Sequence, residues 1–227
     1  MSTPANHFTS PGSQAVNEQP PHTAGRIIHW ATRYDLAVKV LALGHDRSIR
    51  QQTVELAQIK PGDKVLDVGC GTGDLTQAAK VQAGSTSDVY GIDASPEMIE
   101  VAWRKAARAG VDIHYRVDLI EALSFPDDTF DVVLSSLMIH HLPDELKRKG
   151  LAEICRVLKP NGCLIVVDMN RPTTLLGKVM MHVSSHGDKP IGLQDLPSLM
   201  HKTGFVQIET GRMLLGMLGY VRGRTPA

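Results

Sequence analysis

Short apolar runs alternate with segments of helical periodicity from residue 64 onward. Runs at 65–68, 89–93, 113–117, 132–134 and 163–167 predict strands, several with the continuous apolar character of buried parallel strands. Helical spacing of apolar residues predicts helices at 75–83, 96–109, 144–158 and 193–204. Two final strands, 205–210 and 214–221, are separated by a short Gly211-Arg212 link, so they should be antiparallel. The pattern predicts an α/β fold with a doubly wound sheet of seven mostly parallel strands, the last one antiparallel.

Two segments outside this alternation have a different character. Residues 1–24 are rich in proline and small polar residues, so we expect a disordered tail. Residues 25–227 should form a single domain, in which residues 25–58 form N-terminal cap helices on the sheet. Residues 171–190 mix apolar side chains with histidines and glycines. We expect this segment to act as a substrate lid.

Three glycines at alternate positions follow the first predicted strand. Gly69, Gly71 and Gly73 allow positive φ and close approach of the backbone to a ligand. A dinucleotide fingerprint would place its third glycine at position 74, which is Asp74. Asp67 adds a negative charge that disfavours a diphosphate and favours an ammonium group.

A second carboxylate lies at the distance expected for a ribose ligand. Asp93 ends the second strand, twenty residues after Gly73, where a carboxylate can accept hydrogen bonds from ribose hydroxyls. Together with the glycine turn, this arrangement indicates a nucleoside that carries an amino acid.

These motifs, joined to Asp118 and the run 130–135, resemble the class I S-adenosylmethionine-dependent methyltransferases. Within that class they are similar to the type 11 or ubiquinone/menaquinone-biosynthesis (UbiE-like) group, over roughly residues 30–222. The resemblance implies a Rossmann-like domain, S-adenosyl-L-methionine as cofactor and a small-molecule methyl acceptor. It also implies that Tyr34 lies over the cofactor, and that Asp118 and Leu119 contact adenine. The full predicted cofactor-binding set is Tyr34, Asp67, Gly69, Cys70, Gly71, Thr72, Gly73, Asp93, Ala94, Met98, Asp118, Leu119 and Ser135.

Candidate catalytic residues follow the fourth and fifth strands. His140 and His141 could take a proton from a phenol, quinol or thiol near neutral pH, and Asp168 lies at the end of strand five. The alternative is that the His-His-Leu-Pro sequence only caps the next helix. The UbiE-like pattern has Arg-Asn where this chain has His140 and His141, so the acceptor stays open.

Composition excludes several classes of function. The net charge is zero and there is no Lys/Arg run, so nucleic acid is not an expected partner. Three cysteines without C-x-x-C spacing support neither disulfides nor zinc, and strand four offers Ser135 and Ser136 where a metal-dependent enzyme would need an acid. We therefore expect no metal.

Segment lengths bear on location. No apolar segment approaches the length of a membrane span, so we expect a soluble protein, and cysteines without a disulfide pattern fit a reducing cytoplasm. The oligomeric state stays open.

Two other functions are compatible with a cofactor-binding chain. One is a non-catalytic S-adenosylmethionine-binding regulator. The other is an NAD-dependent oxidoreductase, which the missing Tyr-x-x-x-Lys motif disfavours.

Overall fold

The computed structural model describes residues 46–170, 192–213 and 218–227. The helices there are α1 (Asp46–Ala57), α2 (Asp74–Ala83), α3 (Pro96–Ala109), α4 (Asp144–Val157) and α5 (Leu196–Lys202). The strands are β1 (Val65–Val68), β2 (Val89–Asp93), β3 (His114–Val117), β4 (Phe130–Ser136), β5 (Leu158–Met169), β6 (Val206–Met213) and β7 (Leu218–Arg224). A single turn of 3-10 helix, Ile139–His141, connects β4 to α4.

The strands form one seven-stranded sheet in the order β3-β2-β1-β4-β5-β7-β6. Neighbours from β3 to β5 are parallel, whereas β7 is antiparallel to both β5 and β6. Strand order reverses between β1 and β4, because β2 and β3 lie on one side of β1 and β4 on the other. Ligands of open α/β sheets bind at such a switch point, beyond the carboxyl ends of the strands. The predicted fold class is confirmed.

Two apolar clusters form the core, one on each face of the sheet. One face packs against α1 and α2 through residues such as Val54 and Ala79. The other packs against α4 and α5 through residues such as Leu151 and Met200. Strands buried on both faces explain why the runs in β1, β4 and β5 show little polar alternation.

The start of α3 was predictable from its first residues. The Ser95 hydroxyl accepts a hydrogen bond from the Met98 backbone N–H at 3.3 Å, and Pro96 occupies the first helical position. Ser95 is thus the predicted N-cap, and it fixes where the chain leaves β2.

Some predicted boundaries were wrong. Gly211 and Arg212 do not link two strands, because β6 continues through them to Met213. Strand β4 is longer than predicted, since it begins at Phe130 and passes Ser135 to end at Ser136. The predictions for residues 1–24, for Tyr34 and the cap helices up to residue 45, and for the lid at 171–190 lie outside the described residues.

Candidate active site

The glycine turn after β1 is held by its own hydrogen bonds. The N–H groups of Gly69 and Cys70 both donate to the Ile92 carbonyl at 2.9 Å, and the Gly73 N–H donates to the Cys70 carbonyl at 3.0 Å. Gly69, Gly71 and Gly73 all have positive φ, at 70°, 53° and 82°. A phosphate-binding loop points free N–H groups at its ligand. Since these donors are already used, the turn is poorly suited to a diphosphate.

Asp93 fastens the turn to the end of β2. Its Oδ2 accepts from the Gly71 N–H and its Oδ1 from the Ser95 N–H, both at 2.9 Å. Burial raises the pKa of this carboxyl, and these backbone donors oppose the rise. Each carboxylate oxygen has a second lone pair, so Asp93 can also accept hydrogen bonds from a ligand's hydroxyls.

Asp67 is buried in β1 and bonded to α2. It is 1% exposed, and its Oδ2 accepts a hydrogen bond from the Thr76 hydroxyl of α2 at 2.6 Å. Burial raises the pKa of Asp67 to about 7, and the nearby Asp93 adds to the rise. Any effect on a ligand's positive charge is therefore electrostatic and acts through the turn.

A cleft that is open to solvent lies between the turn and α1. Its walls combine the turn with residues of α1, α2 and the end of β4. The lining residues are Asp46, Ile49, Arg50, Gly69, Cys70, Gly71, Thr72, Asp74, Leu75, Ser136 and Leu137. Burial raises the pKa of the Cys70 thiol well above its usual value, so it is a neutral part of this wall.

Ion pairs tie three helices together at the cleft. Arg50 of α1 contacts Asp46 at 2.8 Å and Asp74 of α2 at 3.0 Å. The other oxygen of Asp74 pairs with Lys105 of α3, whose Nζ also donates to the Thr72 hydroxyl at 3.1 Å. This network fixes α1 against the glycine turn.

Asp118 has local partners for both carboxylate oxygens. It accepts from the Leu119 N–H at 3.0 Å, from the N–H and hydroxyl of Ser124 at 3.1 Å, and from Arg116 at 3.1 Å. These bonds hold the loop that follows β3, where Leu119 is half-buried. Any contact with a ligand would have to share these oxygens.

The remaining predicted cofactor residues lie around the same strand ends. Ala94 follows β2 and is half-buried, and Met98 of α3 is 2% exposed. Ser135 is fully buried, and its hydroxyl has no hydrogen-bond partner among the described residues. Neither Ala94, Met98 nor Ser135 lines the cleft described above.

His140 and Asp168 form a pair at the ends of β4 and β5. The His140 Nδ1 lies 2.6 Å from the Asp168 Oδ1, and the His140 backbone N–H donates to Oδ2 at 3.0 Å. Asp168 is 3% exposed, and its Oδ1 also accepts from the Met169 N–H at 2.7 Å. His141 packs against the His140 ring with centroids 3.8 Å apart. The arrangement fixes the imidazole and leaves Nε2 as its other functional nitrogen.

Sequence reasoning missed seven residues of the cleft wall: Asp46, Ile49, Arg50, Asp74, Leu75, Ser136 and Leu137. Ser136 directly follows the predicted Ser135, so the alternation of side chains along β4 could have indicated it. Arg50 and Leu137 reach the cleft through non-local packing. Among the described residues, no group of three His, Cys, Asp or Glu side chains could hold a metal ion, and no helix is long and apolar enough to cross a membrane.

Comparisons with known proteins agree with this geometry. A family model described as a methyltransferase domain matches residues 65–162. The chain is 37% identical over 145 residues to the ubiquinone/menaquinone biosynthesis C-methyltransferase UbiE of Hydrogenovibrio crunogenus, an alignment that covers 63% of this chain and 56% of that protein. It is 35% identical over 175 residues to the protein of the same name from Paraburkholderia phytofirmans, covering 76% and 70%.

A solved structure shows the same fold. The S-adenosylmethionine-dependent methyltransferase from Aquifex aeolicus superimposes with a TM-score of 0.61 at 23% identity, over 77% of this chain and 88% of that one. The match to the Hydrogenovibrio protein spans little more than half of that protein's length. The predicted family is confirmed: the chain belongs to the UbiE-type class I methyltransferases, whose cofactor is S-adenosylmethionine.

Proposed function

We propose that this protein transfers a methyl group to a small apolar or aromatic acceptor with an ionisable hydroxyl or thiol group, using His140 as general base. The contact between His140 Nδ1 and Asp168 Oδ1, at 2.6 Å, carries this proposal. A buried carboxylate beside Nδ1 holds its proton there and stabilises the imidazolium that forms when Nε2 accepts a second proton. Asp168 is thus the orienting residue and His140 the base.

The residues of the turn fit the cofactor. S-adenosylmethionine, when bound, supplies an electrophilic methyl group on a positively charged sulfur. Asp93 offers oxygens to ribose hydroxyls, while the N–H groups of Gly69, Cys70, Gly71 and Gly73 are already used within the protein and offer little to a diphosphate. Asp67 contributes negative charge from β1, which favours a cationic ligand.

The acceptor class follows from what the base can do. His140 removes a proton from the acceptor, which makes its oxygen, sulfur or conjugated ring carbon a better nucleophile, and the proton ends on Nε2. The relatives are named C-methyltransferases of quinone biosynthesis, which supports a hydroxylated ring as the acceptor. Free thiols at Cys70, Cys155 and Cys163 are compatible with a reducing compartment and support a cytoplasmic location.

The test measures transfer of labelled methyl from S-adenosylmethionine to a panel of quinols, phenols, thiols and amines. We expect turnover with a phenol, quinol or thiol and none with amines that carry no such group. Calorimetry should show binding of S-adenosylmethionine and its demethylated product but not of NAD. Tight NAD binding without a response to S-adenosylmethionine would overturn the cofactor assignment. Cofactor binding without turnover of any acceptor would favour the non-catalytic regulator.

Replacing Asp93 by alanine is expected to weaken cofactor binding about ten-fold or more. The change removes charge-assisted hydrogen bonds to ribose, worth about 1.5–3 kcal/mol, and also the anchor of the Gly71 N–H. Calorimetry with S-adenosylhomocysteine measures the loss. Asp93→Asn keeps one acceptor oxygen, so its affinity should fall between those of the wild-type protein and Asp93→Ala. A dissociation constant unchanged in Asp93→Ala would limit this carboxylate to a structural role.

A further inference from the structure

Leu137 has an unusual backbone conformation for its residue type. Its φ is +54°, in the left-handed region that leucine rarely adopts. The other non-glycine residues of the described ranges with positive φ are polar and exposed: Gln58, Asp128, Asn161 and Gln207. Leu137 instead lines the cleft and is half-buried. Such conformations persist where the surrounding structure imposes them, and they concentrate at functional sites.

The left-handed conformation of Leu137 places the side chains of Leu137 and Met138 in the core clusters on opposite faces of the sheet. Leu137 packs with the core cluster of α1 and α2, whereas Met138 packs with the cluster of α4 and α5. Met138 fills the space next to Gly69, where a Cβ atom on that glycine would lie only 2.9 Å from the Met138 Cβ. The first glycine of the cofactor turn is therefore in direct contact with the residue after Leu137.

Both ends of this segment are fixed to β5. The Leu137 N–H donates to the Val167 carbonyl at 2.9 Å, and His140 is held through its backbone and ring to Asp168. The His141 N–H closes the turn onto the Met138 carbonyl at 2.9 Å. Residues 137–140 thus connect the glycine turn to the imidazole: Met138 contacts Gly69, and His140, two residues later, is bonded to Asp168.

We propose that Leu137 is a positioning residue whose left-handed conformation couples the glycine turn to His140. The handedness places Met138 on Gly69 and His140 on Asp168 at the same time. A ligand that shifts Gly69 therefore shifts Met138, and the movement of Met138 changes the position of the His140 ring. This role of Leu137 in turnover depends on the proposed function, in which His140 is the base.

The test compares two residues with the same backbone conformation. Valine is β-branched and strongly disfavoured at positive φ, so Leu137→Val should force the segment out of its turn, whereas Leu137→Gly can keep it. Asp128→Val is the matched control, because exposed Asp128 has a φ of 51° at the opposite end of β4. We expect kcat to fall about 10–100-fold in Leu137→Val. In Asp128→Val it should stay within about three-fold of wild type. Leu137→Gly removes a side chain of the cleft wall but can keep the turn, so its loss should be clearly smaller than that of Leu137→Val.

A second measurement does not depend on turnover. The ¹⁵N resonances of the His140 ring, assigned by their loss in His140→Ala, should shift when S-adenosylhomocysteine is added to the wild-type protein and to Asp128→Val. In Leu137→Val that response should be lost. Met138→Ala keeps the backbone and removes the side-chain atoms beyond Cβ, including the Cγ and Cε atoms that lie against Gly69. It should therefore lose most of the response, and it serves if Leu137→Val does not fold.

Each outcome bears on one of the two proposals. A wild-type ring response in Leu137→Val or in Met138→Ala would overturn the coupling. A loss in Leu137→Gly as large as in Leu137→Val would assign the effect to the leucine side chain and overturn the role of the backbone. Full activity of His140→Ala would instead defeat the proposed function, and the ring response of the other variants would still test the coupling.

Discussion

Replacing His140 by alanine is expected to lower kcat by about 10²–10⁴, the usual contribution of a general base. Affinity for S-adenosylhomocysteine should be unchanged, because His140 does not line the cleft beside the glycine turn. The loss should shrink for acceptors that are already ionised at the assay pH, since they need no base. Measuring kcat across acceptors of graded acidity therefore separates proton transfer from packing.

Two neighbouring variants serve as controls. Asp168→Asn keeps the size of the orienting side chain but removes the charge beside His140 Nδ1, so it should lower kcat and show the same dependence on acceptor acidity. His141→Ala removes a ring that packs on His140, and it should have a smaller, uniform effect. If His140→Ala lost the same factor with every acceptor, its role would be one of shape.

The carboxyl ends of β2 and β3 were predictable because burial dominates them. Buried parallel strands are apolar, so the charged residue that closes or follows each of these two runs marks where the strand leaves the core. Asp93 is the last residue of β2, and Asp118 directly follows β3, as predicted. The sequence therefore locates the carboxyl edge of the sheet, and with it the region of the site.

The prediction of a link at Gly211 and Arg212 was wrong for a physical reason. Glycine next to a charged residue is typical of a turn, but Gly211 lies in β6 directly opposite Tyr220 of β7. A Cβ atom there would lie 2.6 Å from the Tyr220 Cζ, so the glycine makes room for an aromatic ring on the neighbouring strand. Only the pairing of the two strands reveals that requirement.

Within the site, too, contacts between segments that are distant in sequence could not be predicted. The alternate glycines indicate close approach of a ligand, yet Met138 occupies the space beside Gly69, and Tyr115 donates a hydrogen bond to the Gly73 carbonyl at 3.1 Å. These contacts join segments more than forty residues apart in sequence. The left-handed conformation of Leu137 likewise has no local signal, since leucine does not favour it.

Asp67→Asn is expected to remove a pH dependence of stability between about pH 4 and 7. Burial raises the pKa of Asp67 from 3.8 in the unfolded chain to about 7 in the folded protein. Between these values the folded state binds a proton that the unfolded state does not, so stability falls as pH rises. A difference of about three pH units corresponds to about 4 kcal/mol at most, present below pH 4 and lost by pH 7.

The stability of Asp67→Asn relative to the wild-type protein should therefore increase as pH rises. At pH 4, Asp67→Asn should be no more stable than wild type, because its buried amide carries two N–H donors where the protonated carboxyl carries one O–H, and one more buried donor without a partner costs about 1–3 kcal/mol. At pH 8 the wild-type protein carries the buried charge, and the difference should move in favour of the variant by up to about 4 kcal/mol. Urea unfolding at a series of pH values measures it, and Asp112→Asn, at an exposed position, reports the generic effect of removing one negative charge.

Cofactor binding should respond in the opposite sense. A cationic ligand at the turn favours the ionised form of Asp67, so affinity for S-adenosylmethionine should rise with pH through about 7, with release of a proton. In Asp67→Asn the rise should disappear and affinity at pH 8 should fall about ten-fold, the effect of roughly 1.4 kcal/mol of lost attraction. Calorimetry in buffers of different ionisation enthalpy detects the released proton. Equal affinity and equal proton release in both proteins would show that the charge of Asp67 does not interact with the ligand. The buried carboxylate would then lower stability above pH 7 without strengthening cofactor binding.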